Sequence, residues 1–321
     1  MKTFAALLVG FALSLPGMAA AQACPSKPIL MIVLLQAGTA VDVVARTVAA
    51  KMSERLGQPI VVENQPGAAG QIGTERIARA APDGYTIGFV NDSILTMLPN
   101  LNPKIGYDPL RDLAPVSRVA GNSFAMAVNP AFPAKTVADL IAMAKAEPGK
   151  INFASGGNGS PQHMMMEMFK AAAGVDIVHV PYKGAAQALT DVIGGQVPII
   201  AQGIGVISSQ AKSGKVRVIA VTGLQRSALM PDVPTLNESG LPGFEFATWF
   251  AVVAPASTPR AIVDRLNAEI VAAANLPDVR AKLTEQGYDV EASSPARLTQ
   301  SIQDGLARMG KVIRDAGIKA D

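Results

Sequence analysis

A loop of small polar residues is the first candidate for chemistry in this sequence. Positions 155–160 have the sequence Ser-Gly-Gly-Asn-Gly-Ser, between a short apolar run and a segment with helical periodicity. Backbone N–H groups in such a loop and at the start of the next helix lack intrahelical partners, so they favour an anion. Hydroxyl and amide side chains add donors, and glycine lets an anion come close to the backbone. The predicted ligand contacts are Ser155, Gly156, Asn158, Gly159 and Ser160.

A similar junction lies near the N-terminus. An apolar run over 29–33 is followed by Gly38 and Thr39, and then by apolar residues at helical spacing. We call residues 155–160 the serine loop. Gly38 and Thr39 are expected to contact the same anion as this loop. Asp42 falls in the first helical turn, where a carboxylate is favoured by the helix dipole. Asp42 therefore has two open roles, one in its own helix and one at the ligand.

Three further residues are predicted near the two junctions. His163 lies one helical turn after the serine loop, where it either donates to a ligand or packs against the helix. Tyr182 follows the strand predicted over 177–180, and Asn91 follows the strand predicted over 85–90. Both are expected at the crevice, because ligands bind where parallel strands end.

Other kinds of chemistry find little support in the sequence. Two histidines without a carboxylate cluster predict no metal site, and Cys24 as the only cysteine excludes an intrachain disulfide. There is no phosphate-binding P-loop, zinc-binding His-Glu-x-x-His or Gly-x-Ser-x-Gly motif. Ser160 and His163 leave a serine hydrolase as an alternative, although no acid is evident to orient the histidine. We expect no catalysis and no cofactor.

The elements that must hold these residues alternate between strand and helix along the chain. Such alternation predicts parallel sheets with helices on both faces. Two extended stretches, 114–128 and 247–254, are interpreted as crossings between two lobes, the first broken by Gly121 and Asn122. Residues 91–93 are expected to form a loop, and residues 99–112 an irregular segment.

The first 23 residues have the features of an export signal. Lys2 precedes an apolar run over 4–16, and small residues stand at positions 21 and 23. Cleavage is expected before Cys24, and without a lipid, because Ala-Gln-Ala fits lipoprotein processing poorly. The mature protein is therefore expected in the periplasm.

Net charge excludes some partners. The whole sequence carries +3, and loss of Lys2 with the leader leaves +2. So mild a charge, without a basic run and with few aromatic residues, argues against nucleic acid and membrane surfaces as partners.

Many segments of the sequence resemble the Bug-type receptors of tripartite tricarboxylate transporters. The resemblance covers almost the whole mature chain and includes His163. The matching segments are 25–29 (Pro-Ser-Lys-Pro-Ile), 57–64, 80–86, 154–160, 179–184, 194–197, 231–235, 249–250 and 254–259.

The resemblance implies an α/β fold of the periplasmic binding protein type. This fold is a two-lobed, type II-like Venus flytrap with two interlobe crossings. We place the first lobe in residues 24–121 plus 249–321 and the second in 122–248. The implied ligand is a small di- or tricarboxylate, an acidic amino acid or an aromatic acid, captured by a monomer and delivered to membrane transporter subunits. A receptor that senses the ligand for a signalling partner is the alternative.

The sequence departs from the family pattern at the crevice. The family's first loop usually reads Pro-Phe-Pro-Pro-Gly-Gly-Ser-Thr-Asp, whereas residues 34–42 keep only the glycine at 38 and the aspartate at 42. Pro198 and Gln202 stand where the family usually has aspartates. Gln202 is therefore added to the predicted ligand contacts, and these changes bear on which ligand is bound, because they fall at the crevice.

Overall fold

The structure, a computed structural model, describes residues 25–319. The export signal predicted over residues 1–23 and the thiol of Cys24 lie outside the described residues. Within 25–319, no helix combines the length and the apolar character needed to cross a membrane. Over the same residues, no group of three or more His, Cys, Asp and Glu side chains is placed to hold a metal ion.

Strands and helices alternate along the described chain, as the sequence pattern predicts. The strands are β1 (Ile29–Val33), β2 (Ile60–Asn64), β3 (Thr86–Asn91), β4 (Leu113–Val128), β5 (Asn152–Ser155), β6 (Val178–Pro181), β7 (Ile199–Gly203), β8 (Arg217–Val221), β9 (Ala247–Pro255) and β10 (Asp289–Val290). The helices are α1 (Ala40–Leu56), α2 (Gln71–Ala78), α3 (Leu98–Leu101), α4 (Val137–Ala146), α5 (Pro161–Ala173), α6 (Ala185–Ile193), α7 (Ile204–Lys212), α8 (Arg260–Ala274), α9 (Pro277–Glu285) and α10 (Pro295–Asp315). A 3-10 turn (Ala68–Gly70) precedes α2, and a π-helical turn (Ser93–Met97) precedes α3.

The first sheet has the strand order β2-β1-β3-β9-β4. Its strands β1, β2 and β3 are parallel, and β9 joins them as the antiparallel partner of β3. Helices α1 and α8 pack on one face, and α2 and α10 pack on the other. Met31, Ile32 and Val33 of β1 are completely buried, because a strand covered on both faces exposes neither row of side chains. We call this sheet and its helices the first lobe.

The second sheet repeats that arrangement. Its order is β6-β5-β7-β4-β8, with β5 parallel to both neighbours and β4 antiparallel to β7 and β8. We call it, with the helices on its faces, the second lobe. Strand β5 holds the place in this sheet that β1 holds in the first. The two junctions that stand out in the sequence therefore follow equivalent strands.

The first crossing is one strand, not two. The sequence predicts a break at Gly121 and Asn122, but β4 runs without interruption over 16 residues. Gly121 pairs with Trp249 of β9 and Asn122 with Thr248, so the ladder continues through the glycine. Bulges near Pro115 and Arg118 shift the register and let β4 turn from one sheet into the other. The division of the chain into lobes at 121/122 and 248/249 stays a prediction.

The segment after β3 is helical, contrary to the loop expected over 91–93. Asp92 has helical backbone angles (φ −59°, ψ −33°), and the π-helical turn and α3 follow at once. Ile94 and Leu95 are completely or almost completely buried, which explains why an apparently irregular sequence folds as a helix. Asn100 fixes its end by donating to the carbonyl of Leu306 in α10 at 3.0 Å. Asp92 consequently lies at a helix start beside the crevice.

Helix α10 packs against both lobes. Leu298 and Ile302, near its start, belong to the apolar core under the first sheet. Met309 and Ile313, near its end, join the core of the second lobe. The last helix thus contacts the cores of both lobes.

Candidate ligand-binding crevice

A cavity of about 390 Å³ lies between the lobes where the parallel strands end. Both lobes and both crossing strands contribute to its wall. The first lobe supplies Leu35, Thr39, Ala40, Val41, Asn91, Asp92, Gln286 and Tyr288; the second supplies Pro161, Gln162, Ala185, Gln202, Gly203, Gly205 and Val206; β4 and β9 supply Asn122, Phe124, Thr248 and Phe250.

Four helix N-termini meet at this cavity. The first residues of α1, α5 and α6 line it, and so do Gly203 and Gly205 on either side of the first residue of α7. Each N-terminus carries N–H groups without intrahelical partners and the positive end of the helix dipole. Together they make the crevice attractive to an anion although its wall has no cationic side chain.

The polar side chains of the wall are mostly neutral amides. Among the described residues that line the cavity there is no Lys, Arg or His, and Asp92 has the only carboxyl. Gln162 donates from Nε2 to Oε1 of Gln202 at 2.6 Å, which ties α5 to the end of β7. The described part of the wall therefore offers a ligand hydrogen bonds and helix dipoles rather than cationic partners.

Aromatic rings form the apolar part of the wall. Phe250 packs edge-to-face on Tyr288, with ring centroids 5.7 Å apart. Phe124 packs edge-to-face on Phe246, with centroids 5.3 Å apart. Leu35 and Val206 extend this surface. Such a wall suits a ligand with an apolar body.

Asp92 is buried in an unusual electrostatic position. Only 4% of its surface is exposed, and its Oδ1 accepts no hydrogen bond from any described residue. Burial raises the pKa of this carboxyl to about 7, against the opposing pull of Arg118 and of the Ser93 and Trp249 N–H groups. The side chain is thus partly protonated at neutral pH.

The serine loop is held in place by side chains beneath it, and its polar groups are used in those contacts. Ser155 is completely buried, and its Oγ lies 2.6 Å from Nε2 of His179. The same oxygen accepts from the N–H of Gly157 at 3.1 Å. A Cβ on Gly156 would lie 3.1 Å from the N of Ala185, so glycine lets the loop approach the start of α6. The loop is therefore a rigid support next to the wall.

A stack of rings lies under that loop. His163 and His179 stack with centroids 3.7 Å apart, and Phe153 continues the stack 4.9 Å from His179. Nδ1 of His163 accepts from the N–H of Gly159 at 3.1 Å, which leaves the ring proton on Nε2, towards Glu167 at 3.7 Å. His163 thus fixes the loop from below and does not line the cavity.

Ser160 and Tyr182 are likewise engaged outside the cavity. The Oγ of Ser160 accepts from the N–H of His163 at 3.3 Å, as an N-cap does, and its own N–H donates to the carbonyl of Gly157. The phenol of Tyr182 forms a hydrogen bond with Asp191 of α6. Burial and this hydrogen bond raise the pKa of the phenol.

Asp42 supports its own loop and helix. Its carboxylate accepts from the N–H of Gly38 at 2.9 Å, from Nε of Arg46 at 2.9 Å and from Nδ2 of Asn64 at 2.8 Å. Burial works to raise its pKa, but these hydrogen bonds outweigh it and hold the pKa below the ordinary value. These three hydrogen bonds explain a role for Asp42 in its own loop and helix, and that role needs no ligand.

We expect Asp42→Asn to lower the free energy of unfolding by about 1–2 kcal/mol at pH 7, the scale of a lost charge-assisted hydrogen bond. Urea unfolding measures this. Asp264→Asn is the matched control, because Asp264 also pairs with an arginine four residues away but is exposed on α8. A control variant that loses as much stability as Asp42→Asn would contradict the role assigned to the buried carboxylate.

The lobes touch at the rim of the crevice through glycines. A Cβ on Gly205 of α7 would overlap the carbonyl oxygen of Gln286 and lie 3.0 Å from its carbonyl carbon. A Cβ on Gly287 would lie 2.7 Å from the N of Gly205. A second contact joins Gly159 to Leu101: a Cβ on Gly159 would lie 2.5 Å from Cδ1 of Leu101. The present arrangement of the lobes therefore depends on backbone-to-backbone approach.

The structure brings three of the twelve predicted contacts to the cavity wall, namely Thr39, Asn91 and Gln202. The other nine surround the wall without lining it: Gly38, Asp42, Ser155, Gly156, Asn158, Gly159, Ser160, His163 and Tyr182. Sequence reasoning missed Asp92, although its place directly after a buried strand was a usable signal. It also missed Gln162, which follows the serine loop on α5 and was passed over for His163. Ligand contact by any of them stays a prediction.

Comparison with known proteins places the chain in a family. A sequence model described as "Tripartite tricarboxylate transporter family receptor" matches residues 44–318. Protein BugT of Bordetella pertussis (strain Tohama I) is 36% identical over 316 residues, which cover 97% of each protein. A protein of Pseudomonas sp. (strain P51), from the tcbD–tcbE intergenic region, is 36% identical over 93% of this chain and 89% of its own length.

Solved structures agree with that placement. The R. palustris protein Rpa4515, solved with adipate, has a TM-score of 0.81 at 33% identity and covers 92% of this chain and 99% of its own. MatC from Rhodopseudomonas palustris, solved with malate, has a TM-score of 0.77 at 32% identity over 90% and 99%. The periplasmic binding protein BugD has a TM-score of 0.77 at 34% identity over 92% and 100%. The two-lobed fold and the resemblance to Bug-type receptors are thereby confirmed, and the chain belongs to the receptor family of tripartite tricarboxylate transporters.

Proposed function

We propose that this protein captures a small carboxylate between its lobes and delivers it to membrane transporter subunits. The observation that carries this proposal is the meeting of four helix N-termini at one cavity between the lobes of a transporter receptor. Backbone N–H groups there can bind a carboxylate without a cationic side chain. Relatives solved with adipate and malate support a carboxylate as the ligand class.

Delivery to a transporter is favoured over signalling and over catalysis. The family model describes a transporter receptor, and the solved relatives are periplasmic binding proteins. A hydrolase based on Ser160 and His163 would need the imidazole to accept the serine proton. Instead, the imidazole Nδ1 accepts from the N–H of Gly159, and the hydroxyl oxygen of Ser160 accepts from the backbone N–H of His163. We infer no catalytic role.

The cellular setting follows from the same proposal. We infer that the leader over residues 1–23 directs export and that the mature protein works as a monomer in the periplasm. The match to periplasmic binding proteins over almost the whole mature chain supports the location.

A carboxylate should stabilise the protein whereas its neutral primary amide should not. At a concentration about 100-fold above its dissociation constant, a ligand is expected to add ~2.7 kcal/mol to the free energy of unfolding. Thermal-shift measurements on a panel of carboxylates and their amides test this. Small-angle scattering with the best ligand should then show a smaller radius of gyration, as expected for hinge closure. A panel in which amides stabilise as well as carboxylates would overturn the ligand class.

A further inference from the structure

The described residues that line the crevice include one carboxyl and no cationic side chain. Asp92 lines the cavity, is 4% exposed, and is joined to no Lys, Arg or His by an ion pair among residues 25–319. Its Oδ1 is buried without a hydrogen-bond partner, and so is Oδ1 of Asn91 beside it. Two donors, Oγ of Ser93 and Nε of Arg118, are buried without a partner as well, but neither residue lines the cavity. A native protein rarely leaves neighbouring buried polar groups unpaired, so this end of the cavity is a place for a bound group that donates to Asn91 and Asp92.

Arg118, which acts on Asp92 through space, is engaged elsewhere through Nη2, while its Nε is buried without a hydrogen-bond partner. Arg118 donates from Nη2 to Oε1 of Glu291 at 2.7 Å and lies over the ring of Trp249, 5.5 Å from its centroid. Arg118 moderates the charge of Asp92 through space but makes no hydrogen bond to it among the described residues. The carboxyl of Asp92 therefore remains available to a ligand.

A second carboxylate on the ligand would be poorly received here. The helix N-termini can stabilise one carboxylate, but no described residue of the wall offers a cation for another. Asp92 would repel a second carboxylate in its ionised form, and a second carboxylate nearby would favour its neutral form. A hydroxyl or ammonium group on the ligand would instead supply the donor that the two acceptors lack. The remaining apolar surface of Phe124, Phe250 and Tyr288 suits the body of such a molecule.

We propose that Asp92 determines the ligand class of this receptor. It accepts a hydrogen bond from a hydroxyl or ammonium group on a monocarboxylate, and it disfavours di- and tricarboxylates. This inference rests on the proposed function, because it takes the first carboxylate to bind at the helix N-termini.

Two series of compounds that differ at one group test the proposal on the unmodified protein by titration calorimetry. The first is hexanoate, 6-hydroxyhexanoate, 6-aminohexanoate and adipate. The second is 3-phenylpropanoate, 3-phenyllactate, phenylalanine and benzylmalonate. In at least one series the hydroxyl or ammonium compound should bind at least tenfold more tightly than the dicarboxylate. The hydroxyl and ammonium members distinguish the two possible donors.

The outcomes separate the inference from the function on which it rests. If a dicarboxylate binds as tightly as the hydroxyl and ammonium members in both series, or if a di- or tricarboxylate is the best ligand of the wider panel, the inference is wrong and carboxylate capture stands. If no carboxylate of either series or of the panel binds, the proposed function itself fails, and the inference fails with it.

Variants identify the residue responsible. In Asp92→Asn the preference for the ammonium compound over the dicarboxylate should fall at least tenfold, and Asp92→Ser should do the same if the asparagine variant folds poorly. Asp304→Asn is the matched control, since it removes the same charge from α10 without touching the cavity. An unchanged preference in a folded Asp92 variant would overturn the assignment of Asp92.

Discussion

Replacing Asp92 by asparagine is expected to remove a pH dependence of about 4 kcal/mol from the stability of the ligand-free protein. The pKa of this carboxyl is about 7 in the folded protein, against an ordinary value of 3.8, because burial disfavours the charged form. Between these two values the folded protein holds a proton that the unfolded chain releases. Asp92 therefore lowers stability progressively as the pH rises from 4 through 7, by up to ~1.4 kcal/mol per pH unit.

Urea unfolding of both proteins at pH 4 and pH 8 measures this effect as a difference of differences. Wild type should lose about 4 kcal/mol more than Asp92→Asn on going from the lower to the higher pH. Because the other titrating groups are common to both proteins, their contributions cancel. Asp304→Asn should keep the wild-type slope. Parallel pH profiles for wild type and Asp92→Asn would show that the carboxyl of Asp92 titrates near its ordinary value in the fold.

Local patterns predicted the framework that positions the crevice. The apolar runs of β1 and β5, each followed by glycine and a helical periodicity, identified two equivalent junctions. The predicted fold and junctions agree with the structure because both depend on residues that are neighbours in the sequence. Buried parallel strands need continuous apolar residues, and a helix start leaves free N–H groups. The crossings were also recognised, since β4 and β9 are long and apolar.

What the sequence did not predict depends on residues far apart in the chain. Gly121 and Asn122 look like a strand break, but Trp249 and Thr248 complete the ladder across them. Asp92 looks like a loop residue, but the burial of the following turn against α10 makes that segment helical and places the carboxyl in the wall. Such positions are determined by tertiary partners, which override local preference.

The same limit explains the site predictions. Loop residues with obvious donors were selected, and many of those donors are used within the protein. Ser155 is engaged with His179, and Ser160 caps α5. The wall is formed instead by residues one or two positions away, such as Gln162, and by crossing-strand residues such as Asn122. Which side chain faces a crevice depends on how two lobes meet, and no local pattern encodes that.

Gly205→Ala is expected to weaken ligand binding at least 100-fold while leaving the free protein folded. In the present arrangement an added Cβ would overlap the carbonyl oxygen of Gln286 in the other lobe. Neither backbone can yield as a flexible side chain would, so the lobes can accommodate the methyl group only by moving apart. Gly205 and Gln286 both line the cavity, and separation there would open the wall around the ligand.

The unfolding midpoint and the affinity should respond differently in this variant. Gly205 lies in the first turn of α7, where the helical backbone accepts alanine as well as glycine, so the free protein should keep its stability once the lobes separate. A Cβ that overlaps a backbone oxygen should cost at least the upper end of the ~1–3 kcal/mol typical of overpacking. The expected 100-fold loss of affinity corresponds to about 2.7 kcal/mol. Gly194→Ala is the control. Gly194 follows α6 with φ −72°, and a Cβ there would lie 3.4 Å from the carbonyl oxygen of Thr190, an ordinary contact distance. Calorimetry with the best carboxylate measures the affinity of the variant, and small-angle scattering measures whether its lobes have moved apart. Wild-type affinity in Gly205→Ala would mean that the ligand-bound receptor does not use this glycine contact.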